Sequence, residues 1–72
     1  MCKHRYVATG IASIGGRRFR GECIADNMNT AIFLFENHED KLSVHSIERK
    51  EQVSVERFMG VTDVKYGTRI QN

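Results

Sequence analysis

A glycine pair, Gly15-Gly16, lies near the middle of a stretch, residues 5–25, rich in β-branched, aromatic and small side chains. Glycine tolerates the positive φ that both central positions of a type I′ turn require, so the pair predicts a β-hairpin. With those two residues as the loop, Ile14 faces Arg17, Ala12 faces Phe19, Gly10 faces Gly21, Ala8 faces Cys23 and Tyr6 faces Ala25. Alternation puts these ten on one side of the ribbon. That side is almost free of charge and small in its middle, a floor on which a helix can lie closely. The other side carries Val7, Thr9, Ile11 and Ser13 with Arg18, Arg20, Glu22 and Ile24. A slip of one residue would exchange the two sides and bury the arginines.

A short helix is expected next. Asp26 is placed to accept a hydrogen bond from a free N–H of the first turn, with Asn27 and Asn29 as rivals. At about 100° per residue, Met28, Ala31, Ile32 and Phe35 share a stripe, with Leu34 beside it. Phe19, Ile32 and Phe35 are the expected core between helix and sheet. Phe33 falls opposite the stripe, next to Asn37. It is either covered by a later strand or left as a contact residue. The apolar spacing stops at residues 38–41, where the helix should end.

In the C-terminal half, Val44 and Ile47 cannot share one face of a regular strand, so a bulge or a loop entry must intervene. Residues 43–49 are expected to form a third strand and Lys50-Glu51-Gln52 a turn. Val53 and Val55 alternate as a fourth strand. The rival is a short helix capped by Ser54 that uses Val55, Phe58 and Met59. Gly60 ends either element, Val64 and Tyr66 form a last short strand, and residues 67–72 fray. The expected fold is α+β. It is an antiparallel sheet of three to five strands in β-β-α-β-β order with one helix packed on one face.

Seventy-two residues make a single small α+β domain, 1–72, with a core small enough that a homodimer or a stable partner is expected. The apolar share of 40% and charged share of 28% are those of a soluble globular chain. No apolar run approaches a membrane span and no signal-peptide core is visible, so the chain is expected to be cytoplasmic, with no membrane partner. The net charge of +2 conceals a segregation. In residues 1–25, Lys3, Arg5, Arg17, Arg18 and Arg20 stand against Glu22, a balance of +4. In residues 26–41, Asp26, Glu36, Glu39 and Asp40 stand against Lys41, a balance of −3. Such a dipole can steer association with a charged partner.

Cys2, His4, Cys23, His38 and His45 invite a metal reading, but their spacing lacks the paired, turn-forming pattern of structural zinc sites. No metal, cofactor or disulfide is expected. Cys23 with His38 or His45 as a base is the nearest approach to a nucleophile, yet a lone core-facing cysteine is commonly a small hydrophobe. No catalytic residue is assigned. Arg17, Arg18 and Arg20 beside Phe19 suggest phosphate contact and base stacking, but alternation turns Phe19 away from Arg18 and Arg20.

The run V-A-T-G-I-A-S-I-G-G-R-R-F-R-G, followed by A-D-N-M-N-T-A-I, resembles the strand-strand-helix-strand units of small phage-encoded inhibitors, some anti-CRISPR proteins among them. It is also similar to the archaeal ribosomal protein LX unit, where a hairpin enters a helix through an Ala-Asp type junction. The resemblance is one of layout over about residues 3–48 and carries no functional residue across. It implies a non-enzymatic protein-binding module, a phage-type inhibitor of a host protein or defence complex. The candidate contact residues are Phe33, Arg17, Arg18, Arg20, Ile11 and Val7. The alternative is a nucleic-acid-binding protein that uses the basic hairpin of Arg17, Arg18 and Arg20. What separates the two is whether those arginines converge with Lys3 and Arg5 on one surface.

Overall fold

The computed structural model describes residues 3–54 and 57–69. The chain runs β1 (Lys3–Ala12), β2 (Arg17–Ala25), α1 (Met28–Glu36), β3 (Leu42–Val53) and β4 (Gly60–Arg69). The four strands form one sheet in the order β3-β1-β2-β4, each neighbouring pair antiparallel. This is a small α+β fold, with α1 on one face of the sheet.

The hairpin forms with the expected faces but a different register. Tyr6 pairs with Cys23, Ala8 with Gly21 and Gly10 with Phe19. The loop is therefore residues 13–16, two residues longer than a Gly-Gly turn. Gly15 and Gly16 do take positive φ, 92° and 62°, and Gly16 N–H donates to the Ala12 carbonyl at 3.1 Å. Ser13 and Ile14 are drawn elsewhere: their N–H groups donate to the carbonyls of Lys41 and Asp40, at 3.0 and 3.3 Å. Pairing with the α1–β3 connection satisfies backbone groups that a tighter hairpin would have paired internally. Ile14, expected on the core side, is instead 61% exposed at the loop.

Helix α1 is capped by Asn27, not Asp26: the Asn27 Oδ1 accepts from Thr30 N–H at 2.8 Å. Asp26 Oδ1 is buried without a hydrogen-bond partner among the described residues. The helix stops at Glu36, earlier than expected, because Asn37 turns back on it. The Asn37 backbone N–H and Nδ2 both donate to the Phe33 carbonyl, at 3.0 and 2.9 Å. The buried core joins Tyr6, Ala8, Ala12, Phe19, Cys23 and Ala25 of the hairpin to Ala31 and Phe35 of α1 and Leu42 of β3. The Phe19 and Phe35 rings meet at 6.1 Å between centroids. Leu34, Val44, Ile47, Val61 and Val64 pack around this cluster. Ile32, expected in the core, is only half-buried and Leu34 takes its place.

Beyond residue 42 the expected boundaries move. Lys50, Glu51 and Gln52 are not a turn but part of β3, and Val53 ends that strand instead of opening another. The rival Ser54-capped helix is absent among the described residues, and Val55 lies outside them. Gly60 begins β4, which continues through Arg69 where fraying was expected. Of the bulge and the loop entry that Val44 and Ile47 left open, the structure has the bulge. Thr9 pairs with Ser46 and Gly10 with Val44, so His45 is the extra residue and both aliphatics reach the core side. A second bulge opposes Lys50 and Glu51 to Arg5. Strand β4 mirrors this with irregularities at Thr62 and at residues 67–68.

A nine-residue helix is about 14 Å long, whereas a twelve-residue strand spans about 40 Å. The molecule measures 44 × 20 × 17 Å. The helix therefore covers only part of one sheet face, and among the described residues no second helix lies on the other.

Candidate functional site

The uncovered face is where alternation places Arg5, Val7, Thr9 and Ile11 of β1 beside Arg18, Arg20, Glu22 and Ile24 of β2. Its charges divide along the strands. At one end, Arg5 donates to Glu51 at 2.8 and 3.1 Å and to Glu22 at 3.1 Å. The Arg5 contact holds the Glu51 carboxyl down to about 2, and Arg5 itself is raised, chiefly by the Glu51 hydrogen bond. Nearby, Lys50 binds Glu48 at 2.7 Å and lowers it. Val7, paired with Glu22 on one side and Glu48 on the other, is buried beneath these side chains.

At the other end, the face sinks into a cleft of about 650 Å³ lined by Thr9, Ile11, Arg18, Arg20, His45 and Lys65, with backbone-rich edges at Gly10 and Gly67. Among the described residues no carboxylate lines it. Its two rims are two of the bulges, His45 of β3 and residues 67–68 of β4. Bulges bend a strand and increase its twist. Arg20 approaches Glu22 only to 3.9 Å. Arg18 and Lys65 form no ion pair among the described residues. Phe19 and Tyr66 border the cleft, but their rings serve the opposite face. Phe19 packs on Phe35, and the Tyr66 hydroxyl donates to Asp40 Oδ2.

The expected contact residues thus separate. Val7, Ile11, Arg18 and Arg20 share the open face. Arg17 alternates to the helix side at the strand end, and Phe33 stands 60% exposed on α1. Arg5 shares the open face with Arg18 and Arg20 but is neutralised by its own two acids. His45 and Lys65 join the cleft without having been expected there. The irregularity required between Val44 and Ile47 lay beside the first, and only the β2–β4 register reveals the second.

On the helix side of β4, His38, Glu39 and Asp40 border a second cleft of about 400 Å³, with Asp63 at its edge. The acidic and basic clefts flank the same strand. Cys23 is buried in the core, and burial pushes its thiol up to about 11, so it is held protonated and out of reach. Among the described residues no group of three or more His, Cys, Asp or Glu side chains is placed to hold a metal ion. Among the described residues no helix is long and apolar enough to cross a membrane. Comparison with family models, curated proteins and solved structures finds no match.

Proposed function

We propose that this chain is a non-enzymatic protein-binding module that takes an acidic partner surface on the open face of its sheet. The observation that carries this reading is the cleft of Arg18, Arg20, Lys65 and His45 over Thr9 and Ile11, cationic at its sides and without a lining carboxylate. Three acids of this face are engaged by other cations, Glu22 and Glu51 by Arg5 and Glu48 by Lys50. A cationic rim in which Arg18 and Lys65 form no ion pair among the described residues favours encounter with an acidic partner, and the aliphatic floor supplies area that desolvates on contact. The layout shared with small phage-encoded inhibitors supports the same reading and makes an inhibitor of a host protein or defence complex the form it would take.

Nucleic acid is the second reading, favoured by the same cations. It is the weaker one, because the rings of Phe19 and Tyr66 turn to the other face and do not stand as stacking platforms among the arginines.

The test is affinity capture from a host lysate, identification of the retained protein, and titration of that purified protein. The variants are Arg18→Glu/Arg20→Glu and Phe33→Ala, each checked for folding by circular dichroism. Loss of at least tenfold in affinity for the arginine double variant, with Phe33→Ala near the parent, assigns binding to the open face. The reverse pattern assigns it to α1. Tight binding to duplex or single strands, falling steeply with salt, would replace the protein reading with the nucleic-acid one.

A further inference from the structure

Strand β4 ends the sheet order, so its outer edge has no strand partner among the described residues. Between its bulges, at Thr62 and at residues 67–68, it keeps unbroken register with β2 through Asp63, Val64, Lys65 and Tyr66. In that register both exposed charges meet their own sign. Asp63 lies opposite Glu22, and Lys65 lies opposite Arg20. Like charges directly opposed across a ladder are unfavourable. Neither Asp63 nor Lys65 forms an ion pair among the described residues. Glu22 already has Arg5. The charge pattern of β4 is therefore poorly matched to the strand it pairs with.

It is well matched to itself. Two β4 strands placed antiparallel about a two-fold axis through Val64 put Asp63 of each copy opposite Lys65 of the other. Symmetry makes that contact twice. Val64 then faces Val64, and Thr62 faces Tyr66. The apolar residues on the helix side of this strand, Val61, Val64 and Tyr66, are only partly buried or exposed in the single chain, so the seam gives them further cover.

The opposite edge offers no such register. In β3 the unbroken window is Ser46, Ile47, Glu48 and Arg49. A two-fold axis through Ile47 sets Glu48 against Ser46 and one through Glu48 sets it against itself, while an axis through Arg49 would need Lys50, which lies in the bulge outside this window. The flanking charges are already used, Lys50 on Glu48 and Glu51 on Arg5. We infer that the chain forms a symmetric dimer through β4, joining two four-stranded sheets into one continuous antiparallel sheet with both helices on the same face. A core of this size gains more from such an extension than a larger one would.

The test is sedimentation equilibrium over a concentration series, with circular dichroism to confirm folding. The parent should move from the mass of one 8.3 kDa chain towards twice that value. Asp63→Lys and Lys65→Glu, each alone, set like charges at both contacts and should be monomeric. The double exchange Asp63→Lys/Lys65→Glu should restore the dimer. An equimolar mixture of the two single variants should form a heterodimer, because each then meets its opposite. Arg18→Glu, in the neighbouring cleft, should leave the parent mass unchanged. A parent that stays monomeric throughout, a dimer indifferent to Lys65→Glu, or a double exchange that fails to restore association would each overturn the inference. These measurements need no partner protein, so they stand or fall independently of the proposed function.

Discussion

Replacing three glycines by alanine, one at a time, asks the sheet how closely its layers approach. An added Cβ at Gly10 runs into the carbonyl oxygen of Ser43, with the Ser43 carbonyl carbon at 2.9 Å and the His45 nitrogen at 3.0 Å. All three are backbone atoms of β3 beside the His45 bulge, so no side-chain rotation relieves the contact. The strands must part there, disturbing Leu42 and Val44 as well as the ladder. A lost ladder bond costs about 1 kcal/mol and a forced backbone shift about 1–3 kcal/mol, so Gly10→Ala should cost on the order of 3 kcal/mol. At Gly21 the Cβ meets side chains instead, Phe35 Cε1 at 2.8 Å and Phe19 Cε2 at 3.4 Å. Phe35 is fully buried and can yield only by a few tenths of an ångström. The overpacking cost of about 1–3 kcal/mol is offset by about 0.4–1 kcal/mol from the stiffer unfolded chain, leaving a net loss of about 1–2 kcal/mol. At Gly67 the nearest atoms are 3.9 Å away, an ordinary contact, and the change should stay within about 0.5 kcal/mol. Urea unfolding followed by far-ultraviolet circular dichroism gives all three values, with midpoints moving and slopes unchanged. Total stability for a chain of this length is on the order of 4–11 kcal/mol, so Gly10→Ala should remove a large share. A Gly10→Ala protein as stable as the parent would show that β1 and β3 do not approach as described at the bulge.

Four further outcomes follow from single contacts. Phe35→Ala empties the space between α1 and Gly21 and should cost about 3–5 kcal/mol, read as loss of the cooperative urea transition. Asn27→Ala removes the cap and should cost about 1 kcal/mol in the same assay, whereas Asp26→Ala, which deletes an unpartnered buried oxygen, should show no such capping loss. In a Cys2→Ser background the buried Cys23 thiol should react with an aromatic disulfide reagent only as fast as the protein unfolds. Its pKa is raised from 9.0 to about 11, so its contribution to stability is complete below pH 9 and is lost as pH rises through 11. Glu51 is depressed from 4.5 to about 2 by Arg5, so its contribution is present above pH 4.5 and disappears as pH falls through 2. Glu51→Gln should flatten that part of the acid titration, and added salt should shrink the difference because the pair is exposed.

The faces of the hairpin were legible because a register error of two residues leaves every side chain on its own side. Tyr6 meets Cys23 instead of Ala25, yet both lie in the core. The loop length was not legible, because Ser13 and Ile14 are claimed by Lys41 and Asp40, partners distant in sequence. Val44 and Ile47 disclosed through parity that the strand is irregular between them, but not whether by a bulge or a loop entry, nor that His45 is the extra residue. Lys50-Glu51-Gln52 misled for the converse reason. Consecutive polar residues signal a turn where a strand has a buried face, but this end of β3 lies on a sheet edge and those three residues are exposed. Asp26 and Asn27 have almost equal capping chemistry, and only the path of the chain out of β2 decides between them. Within the site, alternation placed Arg18 and Arg20 together. Lys65 joined them through the pairing of β2 with β4, strands separated by a helix and a third strand.

The small residues that admit the helix also account for the open face. Ala8, Gly21, Cys23 and Ala12 leave room for Phe35 to settle against the sheet, and the residues between them must then point away from it. Those intervening positions include Thr9, Ile11, Arg18, Arg20 and Glu22, too many charges to bury and too much aliphatic surface to be a purely solvated face. One helix, about a third as long as the strands, cannot compensate by wrapping the sheet. The bulges supply the remaining shape. Each outer strand carries two, which interrupt the flat edge that unrelated chains would otherwise extend. The interruptions differ in what lies between them. In β3 the window is followed by charges already paired within the chain. In β4 it is Asp63, Val64, Lys65 and Tyr66, with an acid and a base two residues apart and opposed to their own sign on β2. An edge strand that carried charge only to discourage pairing would be served equally well by two lysines. Alternating signs about a valine discourage most strands and favour a copy of the same one, which is why the exchange of Asp63 and Lys65 is the informative experiment.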